Sequence, residues 1–103
     1  MILDALSSRQ RQVVLFERYG ALLTEHQRGV LGLYLRNDWS LSEIAQSQEI
    51  SRAAVHDLVR RASLTLEEYE TKLGLIATRL AVQREVADLR RRLEALEQEV
   101  AKL

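Results

Sequence analysis

The sequence predicts an all-α protein: a small helical bundle containing a helix-turn-helix, extended by a C-terminal coiled-coil helix. Three observations predict it. The 103 residues include no proline and only four glycines, and they are rich in Leu, Ala, Arg, Glu and Gln, which form helices readily. No segment shows the alternating apolar pattern of a strand. Finally, WSLSEIAQSQEISRAAVHDLVRRA, at positions 39 to 62, carries two helix starts separated by an abrupt stop. Apolar residues make up 47% of the chain, enough to form a core, although one of this size is marginal and gains from a partner chain.

Leu3, Leu6, Val13, Phe16 and Gly20 fall at helical spacing. They predict a first helix over about 8–19, closed by Gly20 in a left-handed cap. Thr24 then caps a second helix, with Gln27 three residues on completing a capping box. That helix carries Val30, Leu31, Tyr34 and Leu35, and RNDW follows as a polar loop closed by an aromatic. Ser40 and Glu43 form the next capping box, and Trp39 is placed to staple onto Ile44. This third helix is short, ending near Ser47. Ser51 caps a fourth, whose apolar stripe runs Val55, Leu58, Ala62, Leu66, Tyr69, Leu73 until Gly74 ends or kinks it.

A short helix, a tight turn and a second capped helix make a helix-turn-helix. Ala45 is small where the two helices approach, and Ile44, Ile50, Val55 and Leu58 supply their shared core. An αα-corner without a nucleic-acid role is the plainer alternative. In a helix-turn-helix the N-terminal part of the second helix enters the major groove. Arg52, Ala53, His56, Asp57, Arg60 and Arg61 face outward there. Arg52 is placed for a guanine edge or a phosphate, and His56 for either. Arg60 and Arg61 suit phosphates, which position without specifying. Ser51 and the helix N-terminus can also take a phosphate. Asp57 either accepts from a cytosine amino group or repels phosphate.

Fifteen basic and fifteen acidic side chains give zero net charge, so any basic footprint is local and affinity should be modest. Glu67, Glu68 and Glu70 add negative charge a few turns further on. The plainer reading of the arginine face is a solvated surface. A sharper rival is a surface that docks a protein or a structured RNA.

LLTEHQRGVLGLYLRNDWSLSEIAQSQEISRAAVHDLVRRA followed by LEEYETKLGL resembles the YlxM-like family of small bacterial proteins, over about Val13 to Leu75. The most specific parts are Leu22 to Thr24, Ser40 to Ala45, Ile50 to Arg52 and Glu67 to Glu70. The resemblance implies a fold similar to the region-four helix-turn-helix of sigma factors. It also implies a regulatory role in the signal recognition particle pathway, beside whose genes the family is usually encoded. The chain departs from the family where the turn usually carries an apolar residue and then glycine. Gln48 and Glu49 stand there, and a non-glycine residue at positive φ costs ~1–2 kcal/mol. Whether the turn keeps the usual angle is left open. Ala21 also replaces a common proline.

Catalysis is not expected. His26 and His56 are the only histidines, and His56 and Asp57, as helix neighbours, diverge by about 100°. There is no cysteine and no metal-ligand cluster, so no metal, cofactor or small-molecule substrate is expected. The N-terminus lacks the basic region and apolar run of a signal peptide, and no stretch approaches the ~20 apolar residues of a membrane span. A cytoplasmic protein without membrane contact is the expectation.

The final segment is read as a dimer code. Val82, Val86, Leu89, Leu93, Leu96, Val100 and Leu103 alternate spacings of four and three. Val86, Leu93 and Val100 take a positions and the others d, a choice favouring a parallel two-stranded coil. In that register Glu85 faces Arg90 of a second copy and Arg92 faces Glu97. In an antiparallel pairing centred near Arg92, Glu85 meets Glu99 and Arg92 its own copy, and both repel. The alternative is an amphipathic helix folded back on its own domain. The expected division is thus a helix-turn-helix domain over 1–74 and a dimerising helix over 75–103, acting on DNA as a parallel homodimer. An adaptor binding RNA or a protein of the signal recognition particle pathway is the alternative.

Overall fold

A computed structural model describes residues 6–103; Leu3 lies outside them. The described residues form five α-helices: α1 Ser8–Tyr19, α2 Glu25–Leu35, α3 Leu41–Gln48, α4 Arg52–Leu73 and α5 Leu75–Ala101. A 3-10 turn over Gly20–Leu22 joins α1 to α2.

Local signals set the helix starts. The hydroxyls of Thr24 and Ser40 accept from the backbone N–H groups of Gln27 and Glu43, whose side chains reach back to the cap residues. Ser7 and Gln10 make the same reciprocal pair ahead of α1. Each box satisfies two donors that a helix start otherwise leaves open. Glu43 owes its carboxyl, held below the usual range, to the hydrogen bond from the Ser40 backbone.

Two apolar clusters hold the bundle together. One gathers Leu15, Phe16, Tyr19, Leu31, Leu66 and Ile76 from α1, α2, α4 and α5. The other joins Val30 of α2, Ile44 and Ala45 of α3, and Val55 of α4, with Trp39 and Leu58 packed on it. The second cluster sits beneath the helix-turn-helix, so α4 is seated on α3 and α2 together. A bidentate pair from Arg11 to Glu67, with N–O distances of 2.6 and 2.7 Å, ties α1 to the middle of α4.

Three expectations need correction. Gly20 is not left-handed: its φ is −56°, and the chain runs on into the 3-10 turn. Its lack of a side chain serves close packing, since a Cβ there would lie 3.2 Å from carbons of the Phe16 ring. Leu73 is 51% exposed, because Ile76 and Leu80 of α5 pack against the core cluster beyond Gly74. Ile50 is 37% exposed. It follows the left-handed turn and sits at the rim of the α3–α4 junction rather than inside it.

Gly74 does take the left-handed conformation, at φ 60°, and α5 begins at the next residue. Having no side chain, it cannot cap α5. Two distant residues do so. Glu70, buried at 8% exposure, accepts from the backbone N–H groups of Ile76 and Ala77, both at 3.3 Å. The Tyr19 hydroxyl accepts from the Leu75 N–H at 3.1 Å and donates to Glu70 at 2.7 Å. The first three N–H groups of α5 are thereby satisfied from α1 and α4. From this anchor α5 runs outward, giving extents of 72 × 26 × 22 Å. The radius of gyration is 19.9 Å, against ~13 Å for a compact chain of about this length.

Candidate nucleic-acid interface

The turn between α3 and α4 determines how the outward face of α4 is presented. Glu49 has φ 57° and ψ 40°, in the left-handed region. The Ile50 N–H donates to the Ala45 carbonyl at 3.1 Å, the six-to-one bond of a Schellman closure. Glutamate thus occupies the conformation glycine favours, and the turn keeps the geometry of a sharp helix stop. Ser51 follows in extended conformation, and its Oγ accepts from the Ala54 N–H at 3.0 Å.

Arg52, Ala53 and His56 project from the first turns of α4 and are exposed. Among the described residues Arg52 makes no ion pair and no side-chain hydrogen bond, so its guanidinium can meet a ligand without giving up an internal partner. One turn on, Asp57 is half-buried and engages both neighbouring arginines. Its Oδ1 is 3.0 Å from Arg60 Nη2 and its Oδ2 is 2.9 Å from Arg61 Nε. These are the i,i+3 and i,i+4 contacts a helix surface permits. The Arg60 hydrogen bond, with the nearby positive charge of Arg61, holds the Asp57 carboxyl below its usual range. Each of its oxygens therefore already faces an arginine, and Asp57 offers a ligand the orientation of two arginines before any lone pair of its own. Three arginines stand against one aspartate over about 13 Å of helix.

The acidic residues further along are spent internally. Glu67 is paired with Arg11 and Glu70 is buried in the anchor of α5. Only Glu68 of that cluster is exposed. The cluster therefore opposes an anion less than its count of carboxylates suggests.

A neighbouring feature was not evident from the motif alone. His26 and Gln27, at the start of α2, share an open depression with Ala54, Asp57, Leu58 and Arg61. The start of α2 thus flanks the α4 face. The three-helix packing of a helix-turn-helix brings those segments together, and the Thr24 cap was the local signal for it. Among the described residues no cluster of three or more His, Asp or Glu could hold a metal ion.

Residues 6–103 match the family model UPF0122, described as helix-turn-helix, YlxM / p13 like. The UPF0122 protein STH1464 of Symbiobacterium thermophilum is 48% identical over 68 residues, covering 66% of this chain and 64% of that protein. UPF0122 protein GK1195 of Geobacillus kaustophilus is 48% identical over 71 residues, covering 69% and 64%. A UPF0122 protein of Lacticaseibacillus casei is 47% identical over 83 residues, covering 81% and 73%. The chain spans 64% of the length of the first two relatives.

Proposed function

Because the chain belongs to the YlxM / p13-like helix-turn-helix family, we propose that it is a DNA-binding regulatory protein that inserts the N-terminal half of α4 into the major groove. The observation that carries this reading is the α4 face: Arg52 without a partner among the described residues, and Arg60 and Arg61 both paired with Asp57. Arg52 and His56 address base edges. Arg60 and Arg61 address phosphates and set the register. Family resemblance supports a regulatory role in the signal recognition particle pathway. We assign the protein to the cytoplasm; no helix among the described residues is long and apolar enough to cross a membrane.

One observation favours a second reading, that of an adaptor for RNA or protein. The chain has no net charge, and one carboxylate already offsets part of the α4 face. The two readings differ in what Arg52→Ala combined with Arg60→Ala does. On the DNA reading, the double variant loses affinity for a duplex in a mobility-shift titration while keeping its helical circular dichroism. With about two cationic phosphate contacts per subunit, the slope of log affinity against log salt is about −2 per bound subunit, shallow for a DNA binder. Equal binding by parent and double variant would remove this face from the account.

A further inference from the structure

The outer part of α5 carries an apolar face that no described residue of the chain covers. Its seven large apolar side chains between Val82 and Leu103 are 40% to 104% exposed. They lie on the side of the helix away from the domain. At 100° per residue, they centre roughly opposite the side on which Ile76 and Leu80 pack against the core. Bending α5 back would have to break the Glu70 and Tyr19 anchor at its start. Helices in proteins draw most of their stability from packing an apolar face, and the outer half of α5 has such a face with nothing described against it.

We infer that this face is the docking surface for the same face of a second copy of the chain, in a parallel two-stranded coil. The inference stands apart from whatever α4 binds. Charge complementarity selects a copy of the same chain. In the parallel register Glu85 meets the partner's Arg90 and Arg92 meets the partner's Glu97, so the flanks match their own sequence. Arg92 also leans on Asp88 of its own helix at 2.8 Å, which Glu97 must share. An antiparallel pair with Val86 opposite Leu103 would also match opposite charges, Arg90 with Glu97 and Arg92 with Glu99. It leaves Val82 without a partner layer. The parallel register covers the whole stripe and places valine at two of its three a positions and leucine at three of four d positions, the choice that favours two parallel strands. Because each α5 is anchored at its start, parallel pairing puts both helix-turn-helix domains at the same end of the coil. Two-fold symmetry would then present two α4 faces to one duplex, at inverted half-sites about one helical turn apart, ~34 Å.

Sedimentation velocity of the full chain at tens of micromolar, with a cysteine reporter, tests both parts. The chain has no cysteine of its own. The expected result is a species of twice the 11.8 kDa chain mass, with Val82→Cys forming a disulfide dimer on mild oxidation. In either antiparallel register the two copies of residue 82 are separated by more than about 25 Å along the coil, too far to bridge. Reversing Glu85→Lys and Arg92→Glu together should weaken the dimer about tenfold or more, and adding Arg90→Glu with Glu97→Lys should restore it. A monomeric parent overturns the inference. A dimer that links Val86→Cys to Leu103→Cys but never Val82→Cys to itself overturns the parallel arrangement.

Discussion

Glu70→Gln is nearly isosteric and strikes the point where α5 is fixed to the bundle. The carboxylate uses both oxygens: Oε2 accepts from the Tyr19 hydroxyl and the Ile76 N–H, and Oε1 accepts from the Ala77 N–H. An amide has one acceptor oxygen. If that oxygen takes the Oε2 position, the NH2 group points at the Ala77 N–H, two donors facing each other. Losing a hydrogen bond to a charged group costs about 1.5–3 kcal/mol. Removing the charge also relieves some of the desolvation that burial imposed on it. The first effect should win, because three donors and the positive end of α5 already compensate the carboxylate. The expected net loss is about 1–2 kcal/mol, or about 5–15 °C in Tm for a domain of this size. Glu70→Leu, which removes every acceptor, should cost more. Urea and thermal denaturation followed by circular dichroism measure both, at fixed protein concentration so that any association cancels. Hydrogen exchange should quicken at Ile76 and Ala77 before it does in α2. A Glu70→Gln variant as stable as the parent within about 0.5 kcal/mol would refute the idea that this carboxylate caps α5.

Glu49→Gly relieves a left-handed glutamate, worth ~1–2 kcal/mol, but adds freedom to the unfolded chain. A net gain of a few tenths to ~1 kcal/mol in urea is expected, and a clear loss would contradict the turn geometry. The two ends of the pH range should also show specific groups. Asp57 titrates below its ordinary value, so its stabilisation is present above that value and lost as pH falls through the depressed one; Asp57→Asn should flatten the acid limb of urea midpoints below about pH 4. Burial, then the hydrogen bond to Glu70, pushes the Tyr19 hydroxyl up. Its contribution is present below its ordinary value near 10.0 and lost as pH rises through the raised one, and Tyr19→Phe should flatten the alkaline limb.

Local signals were legible in the sequence and distant ones were not. Thr24 with Gln27 and Ser40 with Glu43 announce helix starts within four residues, and the structure starts α2 and α3 after them. The stop at Glu49 could be read for the same reason: one backbone conformation answers one interruption of the pattern. The anchor of α5 was not legible, because Tyr19 and Glu70 are 51 positions apart. Periodicity alone does not distinguish a buried acid from a surface one. Gly20 does not reveal its role locally, because glycine serves two purposes, positive φ and close approach, and only the position of Phe16 separates them. Leu73 kept the helical period but lies exposed, while Ile76 is buried in the core beyond a turn whose direction no local pattern specified. At the α4 face the sequence supplied the residues. Their pairing, Asp57 with Arg60 and Arg61, follows from helix spacing and weakens the case for Asp57 as a direct reader.

The most direct test of the proposed function is to follow backbone amide signals by NMR while a mixed-sequence duplex of about 20 base pairs is titrated in at low salt. Shifts should concentrate at residues 51–61, with smaller changes at His26 and Gln27 and none along the outer stripe of α5. Shifts confined to α5 or the back of the bundle, with Arg52 and His56 unmoved, would contradict the proposed function.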